Sequence, residues 1–260
     1  MNHLRVGVCA PLDEILIAQQ LGYDFIEGNL SELAVMAEGS YRTAHALVHE
    51  ASIRPEVFSY MLPRELSVTG RGVNAQVLHK YLDFSFARAK QLGAQIIVFA
   101  SAGARQVPEG WPIDMAWRQL MNFMRILERH AADYGLTIAV EPLNRDECNI
   151  LSTVSEAALL CSILQLKHVR VLANTYHMAQ AHEPIESLVL AGPLLSHVHI
   201  ATAPNRAYPT AQDAEACKSL FWALSDANYT GRVSIEAVCE DFQEEAKAAF
   251  EVIDKARKTV

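Results

Sequence analysis

Four short apolar runs in the second half of the chain alternate in the same way: 136-LTIAVE-141, 169-VRVLAN-174, 196-SHVHI-200 and 233-VSIE-236. In a strand, alternate residues share a face. Leu136, Ile138 and Val140 therefore oppose Thr137, Ala139 and Glu141, and Val169, Val171 and Ala173 oppose Arg170, Leu172 and Asn174. Val198 and Ile200 oppose His197 and His199, while Val233 and Ile235 oppose Ser234 and Glu236. Each run offers one apolar face for packing. Each ends its other face on a side chain able to hold a metal ion: Glu141, Asn174, His199 or Glu236. Four strands finishing this way place one site at one end of a parallel barrel.

The rest of the chain supplies the other half of such a barrel. Strand signals lie over residues 4–9, 23–28, 55–61 and 94–101, the last a continuous apolar run of the kind covered on both faces. Helical spacing fills the intervals, most clearly over 75–92 and 114–134, where Leu120, Phe123, Met124, Leu127 and Ala131 make one stripe. Gly22, Gly93 and Gly135 supply helix stops, and Thr153 with Glu156 has the spacing of a capping box before a helix over 154–163. Further helices are expected over 213–227 and 243–257. Eight strand–helix units in 260 residues predict an α/β fold, a single-domain (β/α)8 TIM barrel over residues 1–260. The long loops all follow strands, which sets the working face at the strands' C-terminal ends.

Composition narrows the partners. A net charge of −8 argues against nucleic acid, whose binders need basic stripes. No apolar run reaches membrane-spanning length, and residues 1–22 lack the layout of a signal peptide. The five cysteines (Cys9, Cys148, Cys161, Cys217 and Cys239) are scattered without a CxxC pair and read as reduced thiols of a cytoplasmic protein. Two carboxylates, an imidazole and an amide oxygen suit a divalent cation such as Mn²⁺, Mg²⁺ or Co²⁺ better than a thiolate zinc site; the alternative is a set of polar groups hydrogen-bonded at the barrel mouth.

The segments 97-IVFASAGARQVPEGW-111, 138-IAVEPLNRDECN-149, 171-VLANTYHM-178, 197-HVHIATAPNR-206 and 233-VSIE-236 resemble the xylose-isomerase-like barrel superfamily of sugar isomerases and epimerases. Ketose 3-epimerases and hydroxypyruvate isomerases look most similar. The resemblance implies that Glu141 and Glu236 are both metal ligands and the two acid/base residues, and that His199 is a metal ligand. Asn174 falls where the family usually has a metal-binding aspartate. Glu147, His177 and Arg206 resemble substrate-binding residues, although the loop of Arg206 is one residue longer than the epimerase spacing and Thr210 replaces a glycine. The resemblance also implies a homo-oligomer.

The asparagine lowers the formal ligand charge from −3 to −2, yet its oxygen can still ligate a hard cation. Trp111 is open to two readings, a wall of the substrate site or a residue buried under the loop after the fourth strand. Glu27 ends the second strand, with site-facing and loop-fixing roles both open, and His197 sits one layer deeper than His199.

The chemistry implied is metal-assisted proton transfer beside a carbonyl, through an enediolate, with Glu141 and Glu236 on either side of the reacting carbon. The loops after strands seven and eight, ATAPNRAYPTAQD and AVCEDFQEEA, lack the glycines of a barrel phosphate site. The expected substrate is therefore a small unphosphorylated ketose or keto-acid. Two alternatives stay open: a dehydratase or lyase acting on a polyol or cyclitol, and a non-catalytic binder whose metal site is impaired at Asn174. An endonuclease of the same superfamily would need more His and Asp ligands than strands two to four supply.

Overall fold

The structure, a computed structural model, describes residues 4–260; residues 1–3 of the expected domain lie outside the described residues. Eight parallel strands pair in chain order and close on themselves. They are β1 (Arg5–Cys9), β2 (Phe25–Asn29), β3 (Pro55–Ser59), β4 (Ile96–Phe99), β5 (Thr137–Val140), β6 (Val169–Asn174), β7 (Leu195–Ile200) and β8 (Arg232–Ile235). The seam is made by β1 and β8, with Val6 opposite Val233 and Val8 opposite Ile235.

The helices between them are α1 (Ile15–Leu21), α2 (Leu30–Val35), α3 (Glu38–Glu50), α4 (Ala75–Leu92), α5 (Ala102–Arg105), α6 (Ile113–Tyr134), α7 (Val154–Leu164), α8 (Thr175–Gln180), α9 (Ser187–Ala191), α10 (Ala214–Asp226) and α11 (Phe242–Arg257). Local chemistry sets their ends. Asn29, Asn74, Thr153 and Asp241 each accept a backbone N–H in the first turn of α2, α4, α7 and α11. Gly22, Gly93 and Gly135 adopt the left-handed conformation that closes α1, α4 and α6. Only the threonine half of the expected capping box forms: Glu156 reaches past Thr153 and accepts from Ser152 N at 2.6 Å.

There are two cores. The larger lies between barrel and helices and takes the outward residues of the strands, among them Val6, Val8, Ile138, Val140, Val171, Val198 and Ile235. The smaller fills the barrel: Phe25, Val57, Ile96, Val98, Ala139 and Leu172. This separation follows from strand phase, because a residue two positions on faces the same side. Gly7 belongs to the inner arrangement. A β-carbon there would overlap the Phe25 ring, so the absence of a side chain on β1 makes room for the phenylalanine from β2.

The two ends of the barrel differ. At the start of the strands, Glu56 pairs with Arg5 at 2.7 Å and with Arg232 at 2.6 Å, tying β3 across to β1 and β8. At the other end, the inward phase that is apolar lower down becomes polar.

Candidate active site

Glu27, Glu141, Asn174, His197 and His199 are all buried at the C-terminal end of the barrel, and Glu236 follows β8 with its side chain 13% exposed. The lowest polar layer is built on Glu27. One of its oxygens lies 3.0 Å from Nε2 of His197 and the other 3.0 Å from Nε2 of His199. Ser234 Oγ adds a contact to His197 Nε2 at 3.1 Å. The carboxylate can only accept, so Nε2 of His199 carries a proton and donates it.

That bond orients the ring. His199 Nδ1 is buried without a hydrogen-bond partner and lies 3.4 Å from Glu141 Oε1 and 3.5 Å from Glu236 Oε2. Asn174 Nδ2 donates to the same two oxygens, at 2.7 and 2.9 Å. Two carboxylates so close repel each other, and a neighbouring positive charge, a donated hydrogen bond or a proton on one of them relieves the pair. Burial works against the imidazolium of His199, but Glu27, Glu236 and Glu141 outweigh it and push its pKa well up. Burial would raise the Glu141 carboxyl too, yet His199, His177 and the Asn174 amide hold it down at about 2. Glu236 goes the other way, raised by burial and by the Glu141 charge.

Glu141, His199 and Glu236 place one donor atom each within 4.8 Å of one another. An orphaned imidazole nitrogen facing two carboxylate oxygens, with its far nitrogen anchored by a carboxylate, is a set of donors that could hold a divalent cation. The residues fit such an ion. A second grouping, Cys9 with Glu27 and His199, is less suited: both Glu27 oxygens already accept from imidazoles, and burial pushes the Cys9 thiol up.

Above this pocket lies a second network. Arg206 Nη2 contacts both Glu147 oxygens at 3.1 and 3.2 Å and His177 Nε2 at 2.8 Å, and its guanidinium lies 4.4 Å from the Tyr176 ring centroid. Asn144 N donates to His177 Nδ1 at 3.1 Å. Burial, Arg206 and His199 together lower the His177 pKa against the pull of Glu141 and Glu147. Its Nε2 lies 3.9 Å from Glu141 Oε1, which links the two networks. A cavity of ≈ 570 Å³ opens beside them, lined by Tyr60, Arg64, Ser101, Gln106 and Glu147 among others. Tyr60, Ser101, Leu151 and Arg206 have φ between 38° and 63°. All four lie on loops that follow strands; Gln165, His182 and Asn228, outside these networks, share the conformation.

The structure therefore brings together Glu141, Asn174, His199, Glu236, His177, Arg206 and Glu147. The longer Arg206 loop still delivers its guanidinium, and Thr210 caps the next turn with Asp213. Trp111 is not part of these networks: its indole nitrogen donates to Gln119 Oε1 at 3.1 Å, and Gln119 in turn bonds both backbone groups of Gly70. Sequence reasoning left Glu27 undecided and missed Asn144 and Tyr60. Asn144 lies in the EPLNR segment, three residues from Glu147, a spacing that signals a turn.

The model of the xylose isomerase-like TIM barrel family matches residues 15–258. The chain belongs to that family. Curated relatives of this xylose isomerase-like barrel include a 3-dehydro-D-guloside 4-epimerase of Escherichia coli (strain K12), 32% identical over 120 residues. A D-psicose 3-epimerase of Agrobacterium fabrum is 33% identical over 135 residues. The matched stretch is 46% and 48% of this chain and 45% and 46% of theirs, so it spans about half the length of these relatives. Solved structures extend the likeness in fold to the whole barrel. A D-psicose 3-epimerase from Clostridium cellulolyticum H10, solved with D-tagatose, gives a TM-score of 0.86 at 19% identity, covering 98% of this chain and 99% of that one. A 3-keto-D-glucoside 4-epimerase from E. coli gives 0.80 at 22% identity, covering 98% and 99%. Among the described residues, no helix is long and apolar enough to cross a membrane.

Proposed function

We propose that this xylose isomerase-like barrel is a divalent-metal-dependent epimerase or isomerase of a small unphosphorylated ketose or keto-acid. The observation that carries this reading is the pair Glu141 and Glu236. They come from separate strand ends, meet around His199 Nδ1, and lie below a rim of hydrogen-bonding groups. The relatives support it, being epimerases of keto-sugars by name.

Glu141, His199 and Glu236 would hold the ion. Bound there, Mn²⁺, Mg²⁺ or Co²⁺ would supply a Lewis acid that polarises the carbonyl and stabilises charge developing on its oxygen. The chain's own residues do the rest. One glutamate removes the proton from the carbon beside the carbonyl, leaving an enediolate, and the other returns a proton. Return to the opposite face of the same carbon inverts it; return to the neighbouring carbon gives isomerisation. His177 and Arg206 crowd two nitrogens to 2.8 Å, and a substrate oxygen accepting from both would relieve that contact. Glu147 and Asn144 keep the arginine and the imidazole aimed. Trp111 acts at one remove, bracing the Gly70 loop through Gln119. A cytoplasmic homo-oligomer acting on small molecules completes the reading.

The test is proton exchange. With Mn²⁺ supplied, D-psicose, L-ribulose and a 3-keto-glucoside are incubated with the protein in D₂O and followed by NMR. Loss of the C–H signal beside the carbonyl, with the epimer or isomer appearing, is expected for at least one. No exchange in any of the three at millimolar metal overturns the ketose reading, and exchange that persists in chelator overturns the metal-assisted mechanism.

A further inference from the structure

The Asn174 amide is fixed at both ends. Its Oδ1 accepts from Tyr176 N at 3.0 Å and so caps α8, the helix that begins immediately after it. Its Nδ2 donates to Glu141 Oε1 and to Glu236 Oε2. Turning the amide by half a rotation would bring the NH₂ group against the Tyr176 N–H and the oxygen against two carboxylates. Three hydrogen bonds would become three contacts of like polarity. The side chain thus presents a donor, not an acceptor, to the pocket between the glutamates. The oxygens it holds are the same two that lie nearest His199 Nδ1.

We propose that Asn174 is a positioning residue rather than a metal ligand: it clamps Glu141 and Glu236 together, and the cation is held by three protein donors, Glu141, His199 and Glu236. The inference rests on the metal reading given above and deepens it. An asparagine keeps the empty pocket assembled, because its amide satisfies both carboxylates before any ion arrives. An aspartate could cap α8 equally well, but its second oxygen would add a third negative charge to the same space. With asparagine, an incoming ion displaces existing hydrogen bonds and gains no fourth anionic ligand. It is therefore held more weakly and keeps more positions open to substrate and water.

The test uses Co²⁺, whose visible d–d absorption reports its ligands, together with the melting temperature of the metal-free protein. The parent is compared with Asn174→Asp and Asn174→Ala. The Asn174→Ala spectrum is expected to superimpose on the parent's, since no ligand is lost. Asn174→Asp is expected to change the spectrum, to bind Co²⁺ at least roughly tenfold tighter, and to melt below the parent when metal-free. A spectrum altered in Asn174→Ala makes the asparagine a ligand and overturns the proposal. So does an Asn174→Asp protein that, free of metal, melts as high as the parent or binds Co²⁺ no more tightly. If Asn174→Asp does not fold, the parent and Asn174→Ala spectra decide between ligand and clamp. Failure of the parent to bind Co²⁺ at all has its own signature, no d–d band in the parent, whatever Asn174→Asp shows. It removes the metal reading, and this inference with it. Altered ligation in Asn174→Ala leaves the metal reading standing.

Discussion

Glu27 Oε1 lies 3.0 Å from Nε2 of His199, and that bond turns the opposite ring nitrogen toward Glu141 and Glu236. A carboxylate behind a histidine ligand fixes its tautomer and strengthens it as a donor. Glu27→Gln keeps the shape and removes the charge. It is expected to weaken Mn²⁺ binding by roughly 10- to 100-fold, measured by calorimetric titration, with secondary structure retained. Parent-like affinity would reduce Glu27 to packing.

Glu236 is the acid/base candidate nearest the solvent. Glu236→Gln keeps an oxygen for the ion and removes the proton carrier. Turnover should fall by about 10²- to 10⁴-fold, the usual contribution of a general acid or base. Metal binding, titrated on the same preparation, should fall much less. Substantial turnover in this variant would take Glu236 out of proton transfer.

Arg206 reaches both Glu147 and His177 from a backbone position with φ of 49°. If it holds a substrate oxygen, Arg206→Ala loses a charge-assisted hydrogen bond worth about 1.5–3 kcal/mol, or roughly 10- to 150-fold in kcat/KM. Steady-state kinetics on the substrate identified by exchange would check this. A change confined to melting temperature would assign the arginine to loop anchoring alone.

The inner core makes a stability prediction separate from chemistry. Gly7→Ala forces a methyl group onto the Phe25 ring inside a closed barrel. Overpacking of this kind costs about 1–3 kcal/mol, read as a lower denaturation midpoint. Adding Phe25→Leu should recover part of the loss. If the double variant is no more stable than Gly7→Ala, the clash is not with that ring.

How far the sequence alone carries this picture depends on how local each feature is. All eight strands were legible, because apolar alternation is written within a few residues. The inward phase of Glu141, Asn174, His199 and Glu236 followed directly from it. The short helices α5 and α8 were not legible, since one or two turns give no periodicity to read. Glu27 could not be assigned from sequence because its partner is 172 positions away and meets it only when the barrel closes. The alternation along β6 sets Asn174 facing inward but says nothing of the direction of its amide. That direction is decided by the first turn of α8 on one side and by Glu236, 62 residues on, on the other. No local pattern marks Arg206 beyond its resemblance to the family, and it is the folded loop that carries it to Glu147 and His177.

The two cores have a consequence for how the molecule comes apart. The polar layer at the mouth stands on the inner six residues and on the strand ladder, and its only direct tie to a helix among those described above is to the short α8, through Asn174 and His177. Helices that open transiently toward solvent leave that ladder closed. In native-state hydrogen exchange, the strand amides, those of β2 to β6 above all, should therefore be the last to exchange. The outer turns of α9 and α3 should exchange far earlier without disturbing the pocket. Such a protein can breathe at its rim while the floor beneath its chemistry stays rigid.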